Sequence, residues 1–140
     1  MHPAVLARNI AAFANSQGGV IVLGIAETDA TAQIVGCDPE QIENLYQAAI
    51  THLTPLPPTS IEIVDVAGKQ IAIISVEKAK ELVLTREGAF HRVGESTRRM
   101  SAASIASSLP HKELSANERQ SVAEGIATLT GMVEALQQPA

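Results

Sequence analysis

The sequence predicts an α/β (α+β) fold, a mixed β-sheet flanked by helices, with a heptad-patterned helix added at the C-terminus. Three observations carry this expectation. Apolar residues recur at helical spacing over residues 3–17 and again from Ile42 to Leu53. Runs of branched apolar residues, VIVLGI and IAIISV, stand between turn signals as strands do. Beyond them, Val122, Ile126, Leu129, Val133 and Leu136 are spaced by 4, 3, 4 and 3, the period of a coiled-coil seam.

Composition bounds the rest. With 140 residues, 46% hydrophobic and 18% charged, the chain can bury one core and carry an appendage. Two Phe, one Tyr and no Trp make that core aliphatic and remove any ladder of aromatics for stacking a nucleic-acid strand. A net charge of −5 opposes non-specific binding to polyanions, which leaves a local basic patch as the only electrostatic route to them. The lone Cys37 forms no internal disulfide and fits a reducing compartment. No charged-then-apolar leader opens the chain, and the longest apolar run, residues 20–26, is too short to span a bilayer. The expectation is a cytoplasmic chain with no membrane partner.

The elements follow in order. Leu6, Ile10, Phe13 and Ala14 mark a first helix, opened by Pro3 and closed by Gly18 as a residue with positive φ. VIVLGI lacks polar alternation and reads as an inner strand covered on both faces. A short strand follows at Gln33 to Val35, and Asp38-Pro39-Glu40 begins a second helix. Ile42, Leu45, Tyr46, Ala49, Ile50 and Leu53 form its apolar stripe, and TPLPPTS stops it. Residues 60–77 read as a hairpin turning near Gly68, and 82–94 as a second pair of strands around Glu87-Gly88. Ser101 caps a helix that Pro110 ends. Residues 1–112 are taken as one domain, and 113–140 as a linker and a self-association helix.

Little of the usual catalytic apparatus is present. His2, His52, His91 and His111 stand apart without ligand spacing, so no metal site is predicted. There is no P-loop, and Gly18-Gly19 precedes its strand instead of following it, so no nucleotide cofactor is predicted. No nucleophile motif appears, and no catalytic residue is assigned.

The polar stretch of interest is FHRVGESTRRMS, residues 90–101. Arg92, Ser96, Thr97, Arg98 and Arg99 stand just ahead of a capped helix start, a combination of guanidinium forks, hydroxyls and free amides suited to phosphate. The alternative is structural: Arg92 and Arg98 pair with acids such as Glu27 or Glu95, and Ser101 only caps.

Taken together, IAAFANSQGGVIVLGIAE, IVGCD and FHRVGESTRRMSAASIASSL resemble the Schlafen AlbA-like DNA-binding domain over residues 4–109. Its members carry a helix ending in A-F-A-N, a G-G turn, a strand ending in G-[IV]-x-[DE], an I-x-G strand and a late R-x-G-x-[ST] segment. The resemblance implies an α/β domain with a mixed sheet, found in transcriptional regulators and, in animal Schlafens, in nucleases that cut structured RNA. Members usually begin with an acid-bearing strand and E-F-K, whose acids join the one after G-[IV] in a metal-assisted site. Only Glu27 matches that set here. The resemblance also marks Asn15, for which a hydrogen bond to the adjacent Gly18-Gly19 turn is the local alternative, and Arg8 is a further phosphate candidate.

Three functions compete on this reading. The first is a non-catalytic, homo-oligomeric module that binds DNA or RNA and regulates transcription. The alternative is a self-assembling structural adaptor. The third is a metal-dependent nuclease.

Overall fold

The computed structural model describes residues 1–28 and 31–109. The chain divides into two compact units, the first spanning Met1–Arg99 and the second beginning at Met100. The seam residues Val122, Ile126, Leu129, Val133 and Leu136 lie outside the described residues, as does Pro110.

In the first unit α1 (Pro3–Ala14) is followed by β1 (Gly19–Leu23), β2 (Ile25–Thr28), β3 (Thr31–Ile34) and α2 (Pro39–Ile50). Then come β4 (Thr59–Val66), β5 (Lys69–Val76), β6 (Leu84–Thr85), β7 (Gly88–Val93) and β8 (Ser96–Arg99). The described part of the second unit holds α3 (Ala102–Ser108), whose cap Ser101 accepts a hydrogen bond from the Ser104 amide at 3.2 Å. The α+β class holds. The described strands form three sheets, β1-β5-β4, β2-β3 and β6-β7-β8, and every described pairing is antiparallel. Most neighbours are joined by hairpins, whereas a parallel pair needs a crossover.

Two sequence expectations change here. VIVLGI is not an inner strand among the described residues, where β1 pairs with β5 alone and β5 is the centre of the sheet. Val20 and Val22 are 55% and 41% exposed while Ile21 and Leu23 turn inward, so a continuous apolar run conceals a one-sided strand. The first helix also ends earlier than its periodicity suggests, with Asn15 as C-cap, and Gly18 follows a further turn with φ of 75°.

The core explains why α1 is so rich in alanine. Leu6, Ala7, Ile10, Ala11 and Ala14 are fully buried among Tyr46, Ala49, Leu53, Ile74, Val76 and Val83. Alanine lets the helix backbone approach several neighbours at once, and α1 touches α2, β5 and all three strands of the β6-β7-β8 sheet. The segment after the helix fixes its exit. A Cβ at Gly18 would lie 2.7 Å from the Val76 carbonyl oxygen, and one at Gly19 would enter the Phe13 ring. Only glycine fits at either place. The second helix starts as its sequence predicts, with Asp38 Oδ1 accepting from the Glu40 amide at 3.0 Å.

Candidate anion-binding interface

Five of the six arginines of this acidic chain lie on α1 and the adjoining hairpins of the first unit. Arg8 is on α1, Arg86 on the β6–β7 turn, Arg92 on β7, and Arg98 and Arg99 on β8. The carboxylates of those segments are Glu87 and Glu95 alone. Positive charge is therefore concentrated on these segments of a chain whose overall balance is negative.

From sequence, 94–99 is only a polar stretch ahead of a helix start, with no strand expected. It is a hairpin instead: the chain turns at Gly94-Glu95 and β8 returns along β7, with Phe90 opposite Arg99, His91 opposite Arg98, Arg92 opposite Thr97 and Val93 opposite Ser96. Residues paired across an antiparallel ladder share a face. Phe90, Arg92, Thr97 and Arg99 thus lie on one face, and His91, Val93, Ser96 and Arg98 on the other. The proposed phosphate residues split between the two.

The first face is tied to α1 by named bonds. Thr97 Oγ1 donates to Asn9 Oδ1 at 2.8 Å and accepts from Arg92 Nη1 at 3.0 Å. The Arg92 guanidinium lies 4.7 Å from the centroid of the Phe13 ring, and its backbone amide donates to Ser16 Oγ at 2.9 Å. Arg99 sits 5.1 Å from the Phe90 centroid and donates through Nη1 to the Glu87 carbonyl at 2.6 Å. Gly88 makes this possible, since a Cβ there would be 2.9 Å from Arg99 Nη1. Arg8 reaches the same Phe90 ring at 5.9 Å. Both phenylalanines of the chain thus serve as rests for guanidinium groups, which fixes planar cations that would otherwise sweep through solvent.

Acid pairing does not consume this charge. Arg8 Nε and Glu87 Oε1, 3.9 Å apart with side chains 36% and 43% exposed, form the only ion pair among the described residues. Such a contact is worth about 0–1 kcal/mol and yields readily to a phosphate. Arg92 takes Thr97 and a ring as partners instead of a carboxylate, and the exposed Arg98 side chain has no hydrogen bond or ion pair among the described residues. Pairing of Arg92 and Arg98 with Glu27 or Glu95 is not observed.

Asn15 does something other than close its local turn. Its Nδ2 donates to the carbonyls of Val83 at 2.8 Å and Phe90 at 2.9 Å, and its Oδ1 accepts from the Val83 amide at 2.8 Å. One side chain thereby holds the β7 backbone, and the approach to β6, against the end of α1. Asn9, Ser16 and Arg86 complete the region and were not legible as parts of it. Arg86 Nη1 lies 3.4 Å from His52 Nε2 at the end of α2. Glu27 stands apart on β2, exposed and opposite Ala32. Among the described residues no three His, Cys, Asp or Glu side chains cluster to hold a metal, and no helix is long and apolar enough to cross a membrane.

The chain is similar to known proteins. A family model described as Schlafen, AlbA_2 matches residues 1–101. The crystal structure of the DIP2311 protein from Corynebacterium diphtheriae is similar with a TM-score of 0.57 and 26% identity, over 78% of this chain and 22% of that one. The present chain therefore spans about a fifth of that protein's length. The solution structure of the N-terminal domain of an ATP-dependent DNA helicase RecG-related protein from Nitrosomonas europaea aligns with a TM-score of 0.49 and 23% identity, over 79% of each chain. No curated protein matches.

Proposed function

The chain belongs to the Schlafen, AlbA_2 family, and from that premise we propose that it binds nucleic acid through the arginines of α1 and of both faces of the β6-β7-β8 sheet. The observation that carries the reading is the concentration of Arg8, Arg86, Arg92, Arg98 and Arg99 on these elements of an otherwise acidic chain. Guanidinium groups fixed by rings and by single hydrogen bonds keep their other N–H groups for phosphate oxygens, and little side-chain freedom is left to lose on binding. Affinity from such contacts is electrostatic and insensitive to sequence, so DNA and RNA are both partners in this reading.

The activity proposed is binding without cleavage. Glu27 lies on the β2–β3 ribbon and has no pair of acids beside it among the described residues, whereas metal-assisted phosphodiester hydrolysis needs several oxygen ligands in one place. Incubation of a tRNA-like substrate with Mg²⁺ or Mn²⁺ should leave it intact. Cleavage that Glu27→Gln abolishes would contradict this. Binding itself is tested by fluorescence anisotropy with labelled RNA and DNA. Association at low ionic strength, lost when Arg98 and Arg99 are both replaced by alanine, is expected, and no association by the parent chain overturns the proposal.

The open edge of β1 favours a second reading. With Val20 and Val22 exposed and one side of the strand unpaired among the described residues, this edge can accept another strand, as a self-assembling adaptor requires. The heptad residues Val122, Ile126, Leu129, Val133 and Leu136 supply a second route to a homo-oligomer. Regulation of transcription is a role that either reading accommodates.

A further inference from the structure

Resting on the nucleic-acid reading above, we infer that the arginine face recognises strands with unpaired bases in preference to uniform duplex. The first ground is how the cations are held. Neutralising a phosphate requires only a positive charge, which a freely moving lysine supplies as well. Here Arg92 and Arg99 are each fixed by an aromatic ring and a hydrogen bond, so that a delocalised plane, not merely a charge, is set in place. Guanidinium planes stack on nucleobases, and a base offers its face only after leaving the helical stack. Arg99 is exposed on the strand that carries it.

A second ground is the edge beside those planes. Among the described residues β8 pairs with β7 alone, so its outer edge presents the backbone N–H and C=O groups of Thr97 and Arg99. Free amides and carbonyls match the Watson–Crick edges of unpaired bases, which a duplex already occupies. A third ground is that the helix carrying Arg8 is not free to enter a groove. Reading a duplex through its major groove takes an exposed helix or ribbon. The α1 helix lies behind the hairpin with Leu6, Ala7, Ile10 and Ala11 fully buried, and is committed to the core.

The probes are a labelled oligothymidylate and a mixed-sequence duplex matched in phosphate number, titrated by anisotropy with the intact chain and with Arg92→Lys, Arg99→Lys and Arg98→Lys. The intact chain is expected to bind the single strand about tenfold more tightly, the scale of one base stacked on a held plane. Arg92→Lys and Arg99→Lys conserve charge, so the salt dependence stays while single-strand affinity falls roughly fivefold and duplex affinity does not change. Arg98→Lys, at a phosphate-contacting side chain that no ring holds, shifts both affinities together, so the single-strand preference of the parent chain is kept. Equal or tighter binding of duplex overturns the inference and leaves the proposed function standing. Unchanged single-strand affinity in both ring-held variants overturns it too. Absence of binding to either probe removes the inference and the proposed function together.

Discussion

At the scale of single residues, Asn15 is the side chain on which the interface most depends. It satisfies one amide and two carbonyls that lie 68 and 75 residues further along the chain. Asn15→Ala strands all three groups in a partly buried place and should destabilise the first unit by about 2–3 kcal/mol in denaturant unfolding. Asn15→Asp is nearly isosteric but turns a carboxylate toward two carbonyls, so it should be at least as harmful; a wild-type midpoint for either variant contradicts the assignment. The sequence marked Asn15 but offered it a local turn to bond, because separations of this size leave no trace in neighbouring residues. Glu87 is the opposite case, a negative charge within the arginine face whose ion pair with Arg8 is loose. Glu87→Gln should strengthen binding of a labelled oligonucleotide at low salt by roughly twofold to fivefold, and weaker binding would mean that Glu87 orders Arg8 instead of screening it.

At the scale of elements, helices were legible and strands less so. Asp38-Pro39 fixed the start of α2 because an N-cap is chemistry between near neighbours. By contrast, β8 was hidden in STRR, four polar residues with no apolar alternation, and becomes a strand because Thr97 and Arg99 find partners in Asn9, Arg92 and Phe90. The apolar run of β1 misleads in the other direction, since Val20 and Val22 face outward. Val20→Lys should therefore cost less than about 0.5 kcal/mol, as exposed substitutions do, while Ile74→Ala, at a fully buried side chain of the central strand, should cost about 2–4 kcal/mol. Comparable losses at the two positions would return β1 to the interior. The β4–β5 hairpin offers a gain. Ala67 holds φ of 53° in its turn, a conformation that disfavours any side chain, so Ala67→Gly should raise stability by about 0.5–1 kcal/mol and lift the melting temperature by a few degrees.

At the scale of the whole molecule, the controlling feature is charge segregation, which composition alone conceals. A net charge of −5 suggests a chain that repels polyanions, yet the fold gathers five arginines around two carboxylates. The resemblance carried by AFANSQGG marked this region because its residues dock the arginine-bearing hairpin: Phe13 supports Arg92, Asn15 and Ser16 hold the β7 backbone, and the glycines allow the turn. Self-association belongs to this scale as well. If the seam at Val122, Ile126, Leu129, Val133 and Leu136 joins copies of the chain, sedimentation at tens of micromolar should give an oligomer that Leu129→Asp shifts toward monomer. A monomeric parent would leave that seam without a partner chain.

The most direct test of the arginine face is the salt dependence of nucleic-acid binding. For the parent chain, log affinity should fall linearly with log salt concentration. Replacing Arg98 and Arg99 together by alanine should flatten that slope by about two units, nearly one for each phosphate no longer neutralised, and by the same amount on different sequences. An unchanged slope, or no binding by the parent chain at low salt, would contradict the assignment of this face to nucleic acid.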